Sequence, residues 1–312
     1  MKALALLSGG LDSTLAIKLV LEQGIKVVAL HLDLPVLSEK KAYADQVAGQ
    51  LGIPLLKIEA GEDYLELIRN PKHGYGKNMN PCIDCRVYML KEAKRQAGKV
   101  GAAFIITGEV IGQRSMSQYK QVLKREEKEA GVEGLVLRPL SAKLLPKTMP
   151  EREGWVDRER LLGISGKSRK VQLALARESG IEGYHTPAGG YLLTDRQFSL
   201  RLKDLFNRKA KITKRDIQLL KIGRHFYLPS ARIIIGRDEA ENKALLELKS
   251  PDDYIFEVPG CGSPITVLEG AKDKEAIELA AQLTARYSDA DTSPVLVAYG
   301  HQKEAKILVK PD

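Results

Sequence analysis

The sequence predicts an α/β protein: a doubly wound parallel sheet followed by a smaller α+β domain. Over residues 1–110, short apolar runs alternate with stretches of helical period, the pattern of strand–helix units with parallel strands. Beyond residue 224 the pattern changes to short apolar runs separated by turn residues, interrupted by one long helical stretch. With 312 residues and 44% hydrophobic content, the chain can build two domains with separate cores.

The elements follow in order. LALLS (4–8) is a buried strand, and a helix follows over about 13–23. KVVALHLDL (26–34) is the second strand, with a helix over about 38–51, then the strand PLLKIEA (54–60) and a helix near 62–69. A helix over about 84–98 precedes the apolar strand AAFIITGE (102–109). Residues 111–195 are less regular, rich in Gly, Pro and charge, with one clear helix near 168–179. Residues 196–224 read as one or two basic helices, with Thr213 as an N-cap for KRDIQLLKIG. The strands HFYLP, ARIIIGR, YIFEVPG, ITVLEG, PVLVAYG and AKILVK then follow, with one helix at about 272–287. The expected organisation is a catalytic domain over 1–195, a basic helical connector over 196–224 and a second domain over 225–312.

The first strand stops at Ser8-Gly9-Gly10-Leu11-Asp12-Ser13, and a helix starts at once. Glycines at such a turn let a ligand approach the backbone, and the free N–H groups and dipole of the helix N-terminus favour a phosphate. Ser8 and Ser13 add hydroxyl donors, and Asp12 offers a carboxylate to a magnesium ion. No Gly-Lys-Ser/Thr follows the glycines, so this is not a Walker loop. Ligands of a doubly wound sheet lie at the carboxyl ends of its strands. His31 and Asp33 end the second strand, and Thr107-Gly108-Glu109 end a later one.

Cys82 and Cys85 stand three apart in NPCIDCR, before a helix and among Lys77, Arg86 and Lys91. That setting is expected to lower their thiol pKa values, and it suits a persulfide, a reversible disulfide, a metal or an iron–sulfur cluster. Structural zinc is disfavoured, because the sequence has no second CxxC or nearby His pair. Cys261, in PGCGSP, reads as a small residue in a tight turn. Three cysteines make no disulfide framework, no apolar run approaches the roughly 20 residues of a membrane span, and the first apolar run lacks a signal-peptide layout. The expected location is the cytoplasm.

The net charge of +9 is unevenly spread: residues 196–225 carry ten Lys/Arg against two Asp/Glu, whereas residues 226–312 carry ten against fifteen. The basic segment, with Arg201, Arg208, Lys209, Lys211, Lys214 and Arg215, suits contact with a polyanion such as RNA. In the acidic last domain, Arg224 at its edge with Arg232, Arg237 and Lys243 are the basic residues expected to share one face.

Taken together, these segments resemble the pyrophosphatase-loop (N-type ATP pyrophosphatase) tRNA thiolation enzymes, akin to 4-thiouridine synthetase and 2-thiouridylase. Within that group the chain looks like the cluster-dependent type, with an appended domain similar to the RNA-binding domain of the NFACT proteins. The matching segments are SGGLDS (8–13), NPCIDC (80–85), TGEVIGQRSMSQ (107–118), residues 137–170, and residues 233–260. The resemblance implies that Ser8, Gly9, Gly10, Asp12 and Ser13 grip ATP, with His31 beside the nucleotide. It places Gly108 and Gln113 at the border with the activated uridine, and makes Cys82 and Cys85 the cluster ligands or sulfur-handling pair. The implied reaction has a uracil carbonyl oxygen attack the α-phosphate; pyrophosphate leaves, and sulfur then displaces AMP. Implied cofactors are ATP, Mg2+ and a [4Fe-4S] cluster; implied partners are tRNA and a sulfide or persulfide donor, with a homodimer left open.

One residue departs from the pattern: relatives commonly carry a third cysteine in the segment TPAGGYLLTD (186–195), where this chain has Tyr191. The cluster is then labile or absent, or the chemistry runs through a persulfide, or thiolation has been lost. Two other readings stay open: an RNA-binding protein with a degenerate nucleotide domain, and a ligase that adenylates a small molecule.

Overall fold

The computed structural model describes residues 1–36, 42–114, 117–184 and 191–311. The first residues of the helix expected over 38–51, residues 115–116 of the TGEVIGQRSMSQ segment and residues 185–190 before Tyr191 lie outside them. The chain forms two compact units, Met1–Ala210 and Lys211–Asp312.

In the first unit the elements are β1 (Lys2–Leu6), α1 (Leu11–Leu21), β2 (Lys26–Asp33), α2 (Ala42–Leu51), β3 (Leu55–Glu59), α3 (Glu62–Arg69), α4 (Cys82–Val100) and β4 (Phe104–Ile106). Next come α5 (Lys120–Ala130), β5 (Val136–Leu137), α6 (Met149–Arg152), α7 (Lys170–Glu178) and α8 (Arg196–Arg208). The five strands are all parallel, in the order β3-β2-β1-β4-β5. β1 is central, with Ala3 to Leu6 buried on both faces, which is why its sequence is continuously apolar. Ala3 and Ala5 join Ile17 and Val20 of α1 in one core, together with Phe104 and Ile106. On the other face α4 packs against β1, β2 and β4. The winding direction reverses between β1 and β4, so a crevice opens at their carboxyl ends.

The second unit contains α9 (Lys214–Leu220), β6 (Arg224–Tyr227), β7 (Ala231–Ile235), α10 (Glu239–Leu248), β8 (Tyr254–Glu257), β9 (Thr266–Gly270), α11 (Lys274–Arg286), β10 (Val295–Gly300) and β11 (Ala305–Val309). Its antiparallel sheet has the order β11-β10-β8-β9-β7-β6. Ile233 and Ile235 face α11, whereas Ile234 packs with Leu219 of α9 and Leu245 of α10. Two covered faces explain the unbroken ARIII run.

That packing corrects the expected organisation. The segment 196–224 is not a separate connector: α8 belongs to the first unit, while α9 carries Leu219, fully buried in the second unit's core. Three helices have no counterpart in the sequence reading: the single-turn α6, and the longer α5 and α10. α5 has a charged sequence and few buried residues, and α10 buries only Leu245, so neither shows a wide apolar stripe. Among the described residues, no helix is long and apolar enough to cross a membrane.

Candidate functional site

The turn after β1 places its residues at the β1/β4 crevice. Gly9 has φ +76°, and a Cβ there would lie 2.7 Å from that of Tyr43, so conformation and space both require glycine. Gly10 occupies the N-cap of α1 and provides no side-chain cap. The first-turn N–H groups are thus left for a ligand, at the positive end of the helix dipole. The Ser13 hydroxyl donates to the Gly10 carbonyl at 2.9 Å and lies 3.2 Å from the Ser8 hydroxyl.

Asp12 Oδ2 accepts from Gln113 Nε2 at 2.8 Å and from Arg169 Nη2 at 2.9 Å. Its Oδ1 is buried without a hydrogen-bond partner, an oxygen suited to a magnesium ion beside a phosphate. Gly108, just beyond β4, lies against this same turn: a Cβ would sit 2.5 Å from the Ser13 nitrogen. Gly108 therefore packs against the turn's backbone, and Gln113 holds Asp12. His31 Nδ1 donates to the Leu7 carbonyl at 2.9 Å, which makes Nε2 the acceptor nitrogen of the neutral ring.

Cys82 and Cys85 open α4, one half-buried and the other buried. The Cys85 sulfur lies 3.3 Å from the Tyr64 hydroxyl of α3 and 3.4 Å from the Tyr191 hydroxyl, and the two hydroxyls are 3.0 Å apart. The expected lowering of the thiol pKa values is not found. Burial pushes both thiols up, outweighing Arg114 at Cys82 and, at Cys85, the tyrosine hydrogen bonds and Arg86. The same burial, reinforced by Cys85, drives the Tyr64 and Tyr191 hydroxyls well above their ordinary value. Thiolate and phenolate donors are thus both disfavoured, and no group of three or more His, Cys, Asp or Glu among the described residues is arranged to hold a metal. The donors present do not fit a [4Fe-4S] cluster.

A buried charge network adjoins the thiols. Glu109 accepts from Arg138 Nε at 2.7 Å and from the Thr107 hydroxyl at 2.9 Å, and it pairs with Arg86. Glu126 of α5 is 0% exposed, with neither oxygen hydrogen-bonded; burial raises its pKa to about 7 against the pull of Arg86 and Arg138. The folded chain therefore keeps a proton that the unfolded chain has lost, so Glu126 makes stability fall as pH rises from about 4 to about 7. Glu126→Gln is expected to flatten that fall by on the order of 2–3 kcal/mol between pH 5 and 8. Urea unfolding of both proteins at the two pH values checks it, and parallel losses would show that the carboxylate is accommodated.

Comparison with known proteins follows the same division. Residues 1–143 match the family model described as thiamine biosynthesis protein (ThiI), and residues 223–311 match the NFACT protein RNA binding domain. The chain joins a ThiI-type domain to an NFACT-type domain. A probable tRNA sulfurtransferase of Methanobrevibacter smithii is 30% identical over 146 residues, covering 45% of this chain and 37% of the relative. A tRNA-specific 2-thiouridylase MnmA of Syntrophotalea carbinolica is 33% identical over 117 residues, covering 34% of this chain and 33% of the relative. The chain spans about a third of the length of the curated relatives it matches. A crystal structure of a 4-thiouridine synthetase–RNA complex with bound ATP is similar at 29% identity, covering 45% of this chain and 37% of that chain, with a TM-score of 0.35.

The basic residues divide between the two units. On α8, at the end of the first unit, Arg201 is half-buried and Arg208 pairs with Asp204 at 2.7 Å. The Lys209 carbonyl is held by Arg69 Nη2 at 2.6 Å. Lys211 and Lys214 are exposed in the second unit. Arg215 is bound to Asp253 at 2.6 Å and Glu269 at 2.8 Å. In the NFACT-type domain, Arg232 is buried on Glu269 and Arg237 is paired with Glu241, so the expected shared basic face loses Arg232.

Sequence reasoning missed Tyr64, Arg114, Glu126 and Arg169. Arg169 lies in the matched segment ISGKSRK, which carried a signal. Tyr64 and Glu126 sit in ordinary helical patterns and carried none.

Proposed function

We propose that this chain thiolates a uridine of tRNA at the expense of ATP. The observation that carries the reading is the uncapped first turn of α1 with the unpartnered Asp12 Oδ1, set in the same ThiI-type domain as two thiols. Relatives named tRNA sulfurtransferase and tRNA-specific 2-thiouridylase, together with the NFACT-type domain, support tRNA as the acceptor.

The N–H groups of the loop and the Ser8 and Ser13 hydroxyls bind the phosphates of ATP, and Asp12 holds the magnesium ion. Bound magnesium would offset charge on the transferring phosphoryl group. A uracil carbonyl oxygen attacks the α-phosphorus, forming a C–O–P link and releasing pyrophosphate. A sulfur nucleophile then attacks the same ring carbon at C2 or C4, and AMP leaves with the former carbonyl oxygen. Arg169 and Gln113 keep the Asp12 carboxylate in place through both steps. His31 lies beside the nucleotide, and a sulfide or persulfide carrier supplies the sulfur. Cytoplasmic location completes the proposal.

The test uses the full chain with bulk tRNA, Mg-ATP and sulfide under anaerobic conditions, with digested nucleosides read by mass spectrometry. Thiouridine that appears only with ATP, with AMP release stimulated by tRNA, is expected. AMP release indifferent to tRNA would favour a small-molecule ligase, and tRNA binding without turnover would leave an RNA-binding protein.

A further inference from the structure

We propose that this chain carries sulfur on Cys82 alone, at a cluster-free site in which Tyr64 and Tyr191 lock Cys85 into a closed ring of hydrogen bonds. The proposal rests on the thiolation reading for its substrate, though not for its geometry.

Three hydrogens and three acceptors meet at Cys85, Tyr64 and Tyr191, at separations of 3.0, 3.3 and 3.4 Å. If Tyr191 donates to the sulfur, the thiol to Tyr64 and Tyr64 to Tyr191, each group donates once and accepts once. Such a ring is complete without a metal or a second thiol. Tyr64 and Cys85 are buried, so opening the ring would strand polar groups away from water.

Tyr191 is also fixed by its backbone. Its carbonyl accepts from the Thr194 hydroxyl at 2.9 Å and N–H at 3.1 Å, and the next residue's N–H donates to Val36 at 3.1 Å. Asn78, from the loop before the cysteines, donates to the Thr194 carbonyl at 2.7 Å. A phenol is therefore held on Cys85, and Cys82 is the thiol of this unit that remains partly open to solvent.

The chemistry follows. A persulfide donor R–S–SH transfers its outer sulfur to the Cys82 sulfur as the Cys82 thiol gives its proton to the leaving group, giving Cys82–S–SH and releasing RSH. The terminal sulfur attacks the adenylated ring carbon; AMP leaves, and the base remains joined to Cys82 through a disulfide. Because Cys85 is held in its ring, an external dithiol reduces that link. One of its thiols attacks the Cys82 sulfur and frees the thiouridine; its second thiol then releases Cys82 and closes the dithiol's own disulfide.

The experiment uses the full chain carrying Cys261→Ser, which removes the exposed thiol of the second unit. Iodoacetamide should label Cys82 about tenfold faster than Cys85, as their exposures require, and a persulfide donor should mark Cys82 alone. Tyr191→Phe opens the ring and should narrow the alkylation ratio. Anaerobic incubation with ferrous iron and sulfide, then desalting, should leave no stoichiometric iron and no iron–sulfur absorption, whereas Tyr191→Cys, with a third thiol, should gain both. Stoichiometric cluster in the Cys261→Ser chain, equal labelling of the two cysteines, or persulfide on Cys85 would each overturn the proposal. None of these readouts requires turnover. Persulfide on Cys82 without thiouridine from tRNA would fail the thiolation reading and leave this site standing.

Discussion

Asp12→Asn stops AMP release, with an expected loss of at least about a hundredfold, the scale of losing one electrostatic contact to a transition state. The substitution keeps the side chain's shape and removes its charge. Arg169 then loses its ion pair at 2.9 Å, and the buried Oδ1, which has no hydrogen-bond partner among the described residues, becomes a poorer ligand for magnesium. Affinity for tRNA is expected to stay near that of the unmodified chain, because the basic residues of α8 and α9 are untouched. Chromatographic assay of AMP beside filter binding of tRNA separates the two effects. Turnover within tenfold of the original would remove Asp12 from the reaction.

Gly108→Ala is the second large effect, and it acts through the backbone. The added methyl carbon would stand 2.5 Å from the Ser13 nitrogen and 2.6 Å from the Asp12 carbonyl carbon. No side chain can rotate to relieve that contact, so the first turn of α1 or the end of β4 must move. Overpacking of this kind costs about 1–3 kcal/mol, and the displaced turn is the one proposed to bind phosphate. ATP affinity is expected to fall by about a hundredfold, since pre-organisation and not contact area gives the turn its affinity. Gly98→Ala is the control: it lies within α4 with nothing inside 4 Å of the added carbon, and helix propensity alone makes it neutral or stabilising. Calorimetric titration with ATP and thermal melts of both variants provide the comparison. Unchanged affinity in Gly108→Ala would show that the turn does not need its observed position.

What could be read in advance depended on how locally each feature is encoded. The turn after β1 is six consecutive residues flanked by an apolar run and a helix, so its shape was legible in Ser8 to Ser13. The parallel sheet was legible because β1 is buried on both faces and β2 is apolar from Val27 to Leu30, so both read as short apolar runs. The environment of the thiols was not. Lys77, Arg86 and Lys91 beside the cysteines suggested activation, but burial dominates, and burial is a property of the packed fold. Tyr64 and Tyr191 are 127 positions apart and meet only through the fold. The division between units was misplaced for a related reason: the basic composition of 196–224 is continuous, but Leu219 belongs to a core built from β7 and α10.

The missing cap on α1 would couple folding to the proposed nucleotide. A helix whose opening donors have no side-chain cap would be completed by the proposed nucleotide, which would then be a structural part of the folded state. By mass action, ATP at a hundred times its dissociation constant adds about 2.7 kcal/mol to the stability of a one-site protein. For a domain of ordinary marginal stability that is a substantial share. On the proposed reading, the melting temperature of the chain is expected to rise with ATP concentration, through a glycine where another helix would place a serine.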